Sequence, residues 1–382
     1  MRISYSSIIA ALVAFVLTTA NGARGDFLYK VKDLGSLGGS SSAFGFGVNA
    51  TGQVAGYANV PGNAPHAFLS AANGGTLRDL GTLGGFNSYG YALNDSGQVT
   101  GESGIPGGSG LLHAFFLGTP AGVIRDLGTV GSDTQSTGYG INASGQVAGG
   151  SFTPGSGLPN HAFLSAVNGG VLRDLGTLGG VDGGFAYGVN TTGQVTGVSH
   201  TAVGDIHAFL SGANGGTLRD LGTLGGVSSW GYAVNDSGQV AGMARTLSGA
   251  FHAYVSGANG GSLLDLNTLG GTSSEARGVN ASGKVVGNST LAGDVIRHAF
   301  LYTNGSMVDL NSLIDPAGGF TLSYARSISD NGLISGYGTN SSGGSIAFLL
   351  TPVPEPSAFA LLGVGMGFAL LARARLNRRS VC

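Results

Sequence analysis

Short runs of apolar residues separated by glycine, asparagine and aspartate run through most of the chain. In one stretch the runs are His66 to Ser70, Thr76 to Leu80, Ser88 to Leu93 and Gln98 to Glu102. Runs of this length bounded by turn residues predict β-strands rather than helices. Asn73-Gly74-Gly75 separates the first two with a hairpin-type turn signal. Gly81-Thr82-Leu83-Gly84-Gly85 closes the second, and Asn94-Asp95-Ser96-Gly97 lies between the last two. Asn or Asp at the start of a tight turn, with Gly where positive φ is wanted, suits such a position. The glycines are therefore expected mainly in turns, since Gly inside a strand costs roughly 0.5 to 1 kcal/mol relative to Ala.

This four-strand pattern recurs. Asp-Leu-Gly or Asp-Leu-Asn starts at Asp33, Asp79, Asp126, Asp174, Asp220, Asp265 and Asp309, at successive separations of 46, 47, 48, 46, 45 and 44. An apolar residue followed by Asn-x-x-Gly-x-Val places its Asn at Asn49, Asn94, Asn142, Asn190, Asn235 and Asn280, with Asp330 in a degraded seventh copy. His-Ala-Phe or His-Ala-Tyr begins at His66, His113, His161, His207, His252 and His298, and survives as Ile346-Ala347-Phe348. The repeats fill one domain, 26–352. Seven four-stranded units of about this length predict an all-β, seven-bladed β-propeller, in which each sheet is covered by its neighbours. The ends support closure: Phe27 to Asp33 matches only the second strand of a unit, and Ala347 to Leu350 only the first. Paired, they complete one blade. An open β-solenoid is the alternative, and it would leave those half units as caps.

The two ends are targeting segments and stand apart from the fold. Arg2, the apolar run Ile8 to Leu17 and the small, polar Thr18 to Gly25 predict a cleaved signal peptide over 1–25, cut after Ala23 or after Gly25. The apolar run falls well short of the roughly 20 residues that a bilayer core requires. At the other end, Val353, Pro354, Glu355 and Pro356 precede an uncharged stretch from Ala358 to Ala372, predicted as a membrane helix over 358–372. Arg373, Arg375, Arg378 and Arg379 follow and would hold the C-terminus in the cytoplasm. This tripartite tail, 353–382, resembles the PEP-CTERM sorting signal of bacteria that make extracellular polysaccharide. The resemblance implies an exosortase-type membrane protease as partner, processing near Pro354-Glu355-Pro356, and release or attachment at the cell surface. An anchor that is never cut is the alternative, and both place the domain outside the cytoplasmic membrane.

Composition narrows the function classes. Gly supplies 74 of 382 residues, with only ten Pro, which excludes collagen. The only cysteine is Cys382, so the folded domain has no disulfide, cysteine zinc site or thiol nucleophile. Asp26 to Pro352 keeps 11 basic against 18 acidic residues, a balance of −7, which argues against nucleic acid and anionic lipid as partners. No phosphate-binding loop and no Gly-x-Ser-x-Gly elbow is present. The Asn-Asp-Ser-Gly turns are too short and too poor in carboxylates for an EF-hand, and the glycosylation pattern at Asn49-Ala50-Thr51 coincides with a turn that already demands Asn. No cofactor is implied.

The histidines and aspartates look like catalytic material, but a residue used once per blade solves a folding problem once per blade. The repeat positions His66, His113, His161, His207, His252 and His298, and Asp33, Asp79, Asp126, Asp174, Asp220, Asp265 and Asp309, are therefore assigned structural roles. His66 and Asp79 fall on adjacent strands and can hydrogen-bond, and the composite blade holding Asp33 and Ile346 would lack that bond. Arg78, Arg125, Arg173 and Arg219 precede the Asp, but Leu264 and Val308 replace them, which excludes an obligatory ion pair. Phe44, Tyr89, Tyr139, Phe185 and Trp230 are placed at the start of the third strand, where they pack between blades or stack on sugar rings.

With His-Ala-Phe, Asp-Leu-Gly-Thr-Leu-Gly-Gly and Asn-x-x-Gly-Gln-Val in fixed order, the repeats resemble the HAF family of extracellular repeats. That resemblance implies bacterial export and no particular activity. Lys284 and Leu333 replace the Gln of Gln53 and its equivalents, which marks the last two units as places for a specialised surface. The sequence thus supports a non-enzymatic surface or matrix module associated with extracellular polysaccharide. The alternative is a secreted polysaccharide-degrading enzyme with a site at one mouth of the propeller. Such an enzyme would have to gather ionisable residues from Glu102, Asp133, Asp182, His200, Asp205, Glu275 and Asp294.

Overall fold

The computed structural model describes residues 28–40, 42–107, 110–155 and 160–353. The signal peptide over 1–25, the residues from Pro354 onward with the membrane helix over 358–372, and Arg373, Arg375, Arg378 and Arg379 lie outside the described residues. The chain divides into Val31–Thr351, which is the repeat domain, and a second unit formed by 1–30 and 352–382. In the latter, the Val353 amide donates to the Leu28 carbonyl at 2.9 Å.

The repeat domain is all-β. Its strands form five four-stranded sheets and one eight-stranded sheet, which is two four-stranded groups joined by a single parallel bridge between Ile206 and Ser228. That makes seven blades of a β-propeller. Blade 2 is typical, with Ser88–Leu93 innermost, then Val99–Gly104, Leu112–Leu117 and Ile124–Asp126, all antiparallel neighbours. The inner strands are Ala43–Val48, Ser88–Leu93, Gln135–Ile141, Gly179–Val189, Gly225–Val234, Gly270–Val279 and Thr321–Ile328. Each touches the next, and the last touches the first, so the ring closes. Closure leaves neither end blade with an uncovered face.

The structural blade is out of phase with the unit read from the sequence. A blade runs third, fourth, first, second, so one sequence unit straddles two blades. Blade 7 takes three strands from the C-terminal side, and its outer strand is the one that ends at Asp33; the Leu34 amide donates to Ala347 O at 3.0 Å. The degraded turn of this blade is also phased differently. Ser329 occupies the Asn position, because its amide bonds Leu333 O as the Asn49 amide bonds Gln53 O. Asp330 instead accepts from the Ala281 amide of blade 6 at 2.8 Å, as Asp95 accepts from Ala50.

The aromatic residue of each His-Ala-Phe is fully buried: Phe68, Phe115, Phe163, Phe209, Tyr254, Phe300 and Phe348. Burying such a side chain contributes roughly 1.5 to 3 kcal/mol. Space for it comes from glycine. Beside the turn glycines, many of them at positive φ, one glycine per blade sits inside the second strand: Gly56, Gly101, Gly149, Gly197, Gly242, Gly287 and Gly336. A Cβ at any of them would overlap a carbonyl oxygen of the inner strand, and at Gly101 it would also meet the Phe115 ring at 2.9 Å. The cost of a strand glycine is offset by the close approach it permits.

Two sets of side chains tie blade to blade. The first is the turn asparagine, which is buried. In blade 3, Asn142 Oδ1 accepts from the Ser144 and Gln146 amides, while its Nδ2 donates to Gln146 Oε1 and, across the interface, to Asn190 O, each at 2.9 Å. The interblade bond recurs from Asn49 to Asn94 O, Asn94 to Asn142 O, Asn190 to Asn235 O, Asn235 to Asn280 O and Asn280 to Ser329 O. Between blades 7 and 1, Asn331 Nδ2 donates to Ala50 O instead, at 2.9 Å. The second set is the basic residue before each Asp. Arg78 reaches the carbonyls of Pro120 and Gly122, Arg125 those of Asn168 and Gly169, Arg173 that of Gly215, Arg219 that of Asn259, and Lys32 that of Asn73. These residues serve neighbouring backbones and not the adjacent Asp. Leu264 and Val308 remove this tie between blades 5 and 6 and between blades 6 and 7.

Candidate functional site: an aromatic channel with two arginines

Every inner strand carries a β-bulge three residues before its turn. Register shifts fall between Gly45 and Gly47, Gly90 and Ala92, Gly138 and Gly140, Ala186 and Gly188, Gly231 and Ala233, Ala276 and Gly278, and Ala325 and Ser327. The extra residues are Phe46, Tyr91, Tyr139, Tyr187, Tyr232, Arg277 and Arg326. A bulge leaves one residue outside the ladder and re-aims its side chain. Here all seven line one cavity of about 560 Å³ on the propeller axis. This size lies within the range of small-ligand sites.

The seven side chains make one series of contacts that runs from Arg326 through Phe46 round to Arg277. Centroids are 5.3 Å apart for Phe46 and Tyr91, 5.8 Å for Tyr91 and Tyr139, 5.1 Å for Tyr139 and Tyr187, and 5.3 Å for Tyr187 and Tyr232. Arg277 then lies over the Tyr232 ring at 3.8 Å, and Arg326 over the Phe46 ring at 4.7 Å. Both are cation–π geometries. Burial pushes the Tyr187 phenol up to about 12 and also raises those of Tyr139 and Tyr232. Tyr91 is raised by burial and then by Glu102, whose carboxylate accepts from the Tyr91 hydroxyl at 2.8 Å and from Thr137 Oγ1 at 2.6 Å.

The two arginines differ in their partners. Arg277 pairs with Glu275, which also accepts from Asn288 Nδ2 at 3.2 Å, and Asn288 in turn accepts from Arg297 at 2.7 Å. The Arg277 Nε is buried without a partner. Arg326 has no carboxylate or hydrogen-bond acceptor among the described residues. Burial, followed by the neighbouring Arg277 charge, lowers its pKa.

The sequence-assigned aromatics divide. Phe44 stacks on Tyr57 at 4.9 Å and meets Tyr337 of blade 7 edge-on at 5.1 Å, and Phe185 meets Phe152 of blade 3 at 5.9 Å. Tyr89 packs on Tyr57 of blade 1, and both also line the cavity. Trp230 packs on Phe251 of its own blade at 5.6 Å. Tyr139 belongs to the channel ring instead, because it stands three residues before its turn Asn142, whereas Phe44, Tyr89, Phe185 and Trp230 stand five before theirs. The rest of the ring was missed because the bulge adds a residue that a regular strand does not have. Counting back from the turn Asn would have found the column, which is aromatic in blades 1 to 5 and Arg in blades 6 and 7.

The histidines lie away from the channel. Nδ1 of His66, His113, His207, His252 and His298 lies 2.6–2.9 Å from Oδ2 of Asp79, Asp126, Asp220, Asp265 and Asp309. His161 contacts Asp133 at 2.8 Å and not Asp174. All seven aspartates, Asp33 and Asp174 included, accept the amide of the residue two positions on at 2.7–2.9 Å. The turn bond is thus the constant role of this position, and the imidazole contact is an addition. Of the scattered ionisable residues, Glu102 and Glu275 approach the ring from blades 2 and 6, each already partnered. Asp294 accepts from Thr272 N and Thr290 Oγ1, which lower its pKa.

Residues 352–379 match the PEP-CTERM protein-sorting motif. The chain therefore carries a PEP-CTERM signal, which implies export sorted to the cell surface by an exosortase. No curated protein matches the sequence. Among solved structures, a puromycin-hydrolyzing peptidase of Mycobacterium tuberculosis is similar over 84% of this chain, with 13% identity and a TM-score of 0.51. The match spans 55% of that peptidase. TolB from Acinetobacter baumannii matches over 92% of this chain and 71% of its own, at 11% identity and a TM-score of 0.43. A six-bladed β-propeller lectin from Aleuria aurantia, described by its fucose recognition, matches over 68% of this chain and 93% of its own, at 11% identity and a TM-score of 0.34. At such identities the likeness speaks to the fold alone.

Proposed function

We propose that this protein is a non-enzymatic saccharide-binding module of the cell surface or extracellular matrix, built from HAF-type repeats and delivered through its PEP-CTERM tail. The channel ring carries this reading. Phe46, Tyr91, Tyr139, Tyr187 and Tyr232 present aromatic surface around one cavity, and aromatic side chains supply large contact area together with a polar tip. The face of a pyranose ring, apolar through its C–H groups, fits such a wall, and the phenol hydroxyls can bond its hydroxyls. Extracellular polysaccharide is the partner that the export route brings within reach.

A degrading enzyme at the same place would need an acid and a base facing the substrate. No aspartate, glutamate or histidine is among the described residues that line the cavity. The test is co-sedimentation of the exported protein with the producing organism's own extracellular polysaccharide, with reducing ends and chain length assayed afterwards. Saturable binding to intact polymer, weakened by Tyr187→Ala, is expected. Shortened polymer would establish an enzyme in its place, and absence of both binding and cleavage would direct attention to a protein partner.

A further inference from the structure

We infer that Arg277 and Arg326 form a binding site for the carboxylate of a uronic acid unit, a specificity that rests on the saccharide reading of the channel. The column of bulge residues is aromatic in five blades and turns to arginine in two adjacent ones, which places two guanidinium groups side by side on the cavity wall. Among the described residues only one carboxylate, Glu275, is bonded to the pair, and it serves Arg277. One positive charge is left over. Arg326 touches aromatic faces, Phe46 at 4.7 Å and Tyr337 at 6.0 Å, and no acceptor among the described residues. The unpartnered Arg277 Nε is itself buried and out of a ligand's reach, so the free donors are those of Arg326.

Arg326 is half-buried and lines the cavity, so its donors, without an acceptor among the described residues, are open to a partner that arrives from outside. A planar guanidinium with free donors matches a carboxylate through two parallel hydrogen bonds. A single carboxylate balances the surplus charge, and the aromatic wall beginning at Phe46 and Tyr232, on which the two arginines rest, would hold the sugar ring that bears it. The acidic balance of the whole domain disfavours long-range capture of a polyanion. Recognition therefore depends on contact inside the channel, which suits one uronate unit or a chain end.

The chemistry is tested by calorimetry on the exported protein with three probes: a glucuronic acid disaccharide, the same disaccharide carboxyl-reduced to its neutral form, and acetate. The uronate is expected to bind at least tenfold tighter than the neutral sugar. Arg326→Gln should abolish that preference, so that the two sugars bind with equal affinity. Arg326→Lys keeps the charge, loses the fork and should retain only part of the preference, which guards against a variant that fails to fold. Equal affinity for both sugars would overturn the carboxylate site and leave the saccharide reading standing. Arginine-dependent binding of acetate without either sugar would overturn the uronate assignment and the saccharide reading together. Binding of no probe would do the same.

Discussion

Nδ1 of His161 lies 2.8 Å from Oδ2 of Asp133, a buried carboxylate just before the inner strand of its own blade, while Asp174, at the repeat position that partners the other five histidines, holds only its turn. One blade has thus changed partner and kept its fold. A double-mutant cycle should report this. His113→Ala with Asp126→Ala is expected to give a coupling of about 0.5 to 1.5 kcal/mol, whereas His161→Ala with Asp174→Ala should add within roughly 0.3 to 0.5 kcal/mol. Comparable coupling in both pairs would contradict the reassignment.

His161→Ala should also cost more than His113→Ala. It leaves the Asp133 carboxylate, only 7% exposed, with a long contact from Thr153 Oγ1 at 3.5 Å. A buried charged group that loses its partner costs upwards of about 1 to 3 kcal/mol. Urea denaturation of the two variants side by side measures the difference, and equal midpoints would count against it.

Asn142→Ala removes four hydrogen bonds at once, one of them across a blade interface. The freed partners are buried, so a loss of roughly 2 to 3 kcal/mol is expected. Asn142→Asp keeps the acceptors but turns an oxygen toward Asn190 O, and should recover little of that loss at neutral pH. Full recovery by Asp would show that the turn alone matters and the interblade bond does not.

Gly101→Ala is expected to destabilise by about 1 to 3 kcal/mol, although alanine is the better strand residue in isolation. The added Cβ meets the Tyr89 carbonyl and the Phe115 ring. Gly81→Ala, at a turn where nothing lies near the added carbon, makes the comparison through its φ of +70° alone. Phe115→Leu in the Gly101→Ala background should restore part of the loss; no restoration would mean that the backbone overlap dominates.

The channel tyrosines predict the alkaline limit of the fold. A phenol raised in the folded state is held protonated there, so its stabilisation is complete below the unfolded value of 10.0 and declines as pH climbs toward about 12, the value of Tyr187. Tyr91, Tyr139 and Tyr232 are shifted the same way and add to the decline. Ultraviolet titration should therefore show these phenols ionising together with unfolding, and not before it. A smooth titration of all tyrosines near pH 10 with the fold intact would refute the buried ring.

The sequence by itself determined the all-β class and the number of repeat units, and favoured closure of the ring over an open solenoid. Those follow from repeat length and from the complementary half units at Asp33 and Ile346, which are properties of chain order. It also located the turn Asn and the His-Ala-Phe motif, since both recur at constant spacing, though not the burial of that Phe. The phase of the blade, the partner of His161 and the reach of Arg78 and its equivalents into the next blade were decided only by the tertiary structure. Each depends on which strands become neighbours in space, and a repeat reads the same from any starting point. The channel ring was hidden for a related reason. Strand alternation assumes one side chain per pleat, and the bulge at Tyr91 and its six counterparts breaks that count by one residue. Only closure of the ring brings Arg277 and Arg326, from separate blades, to one wall.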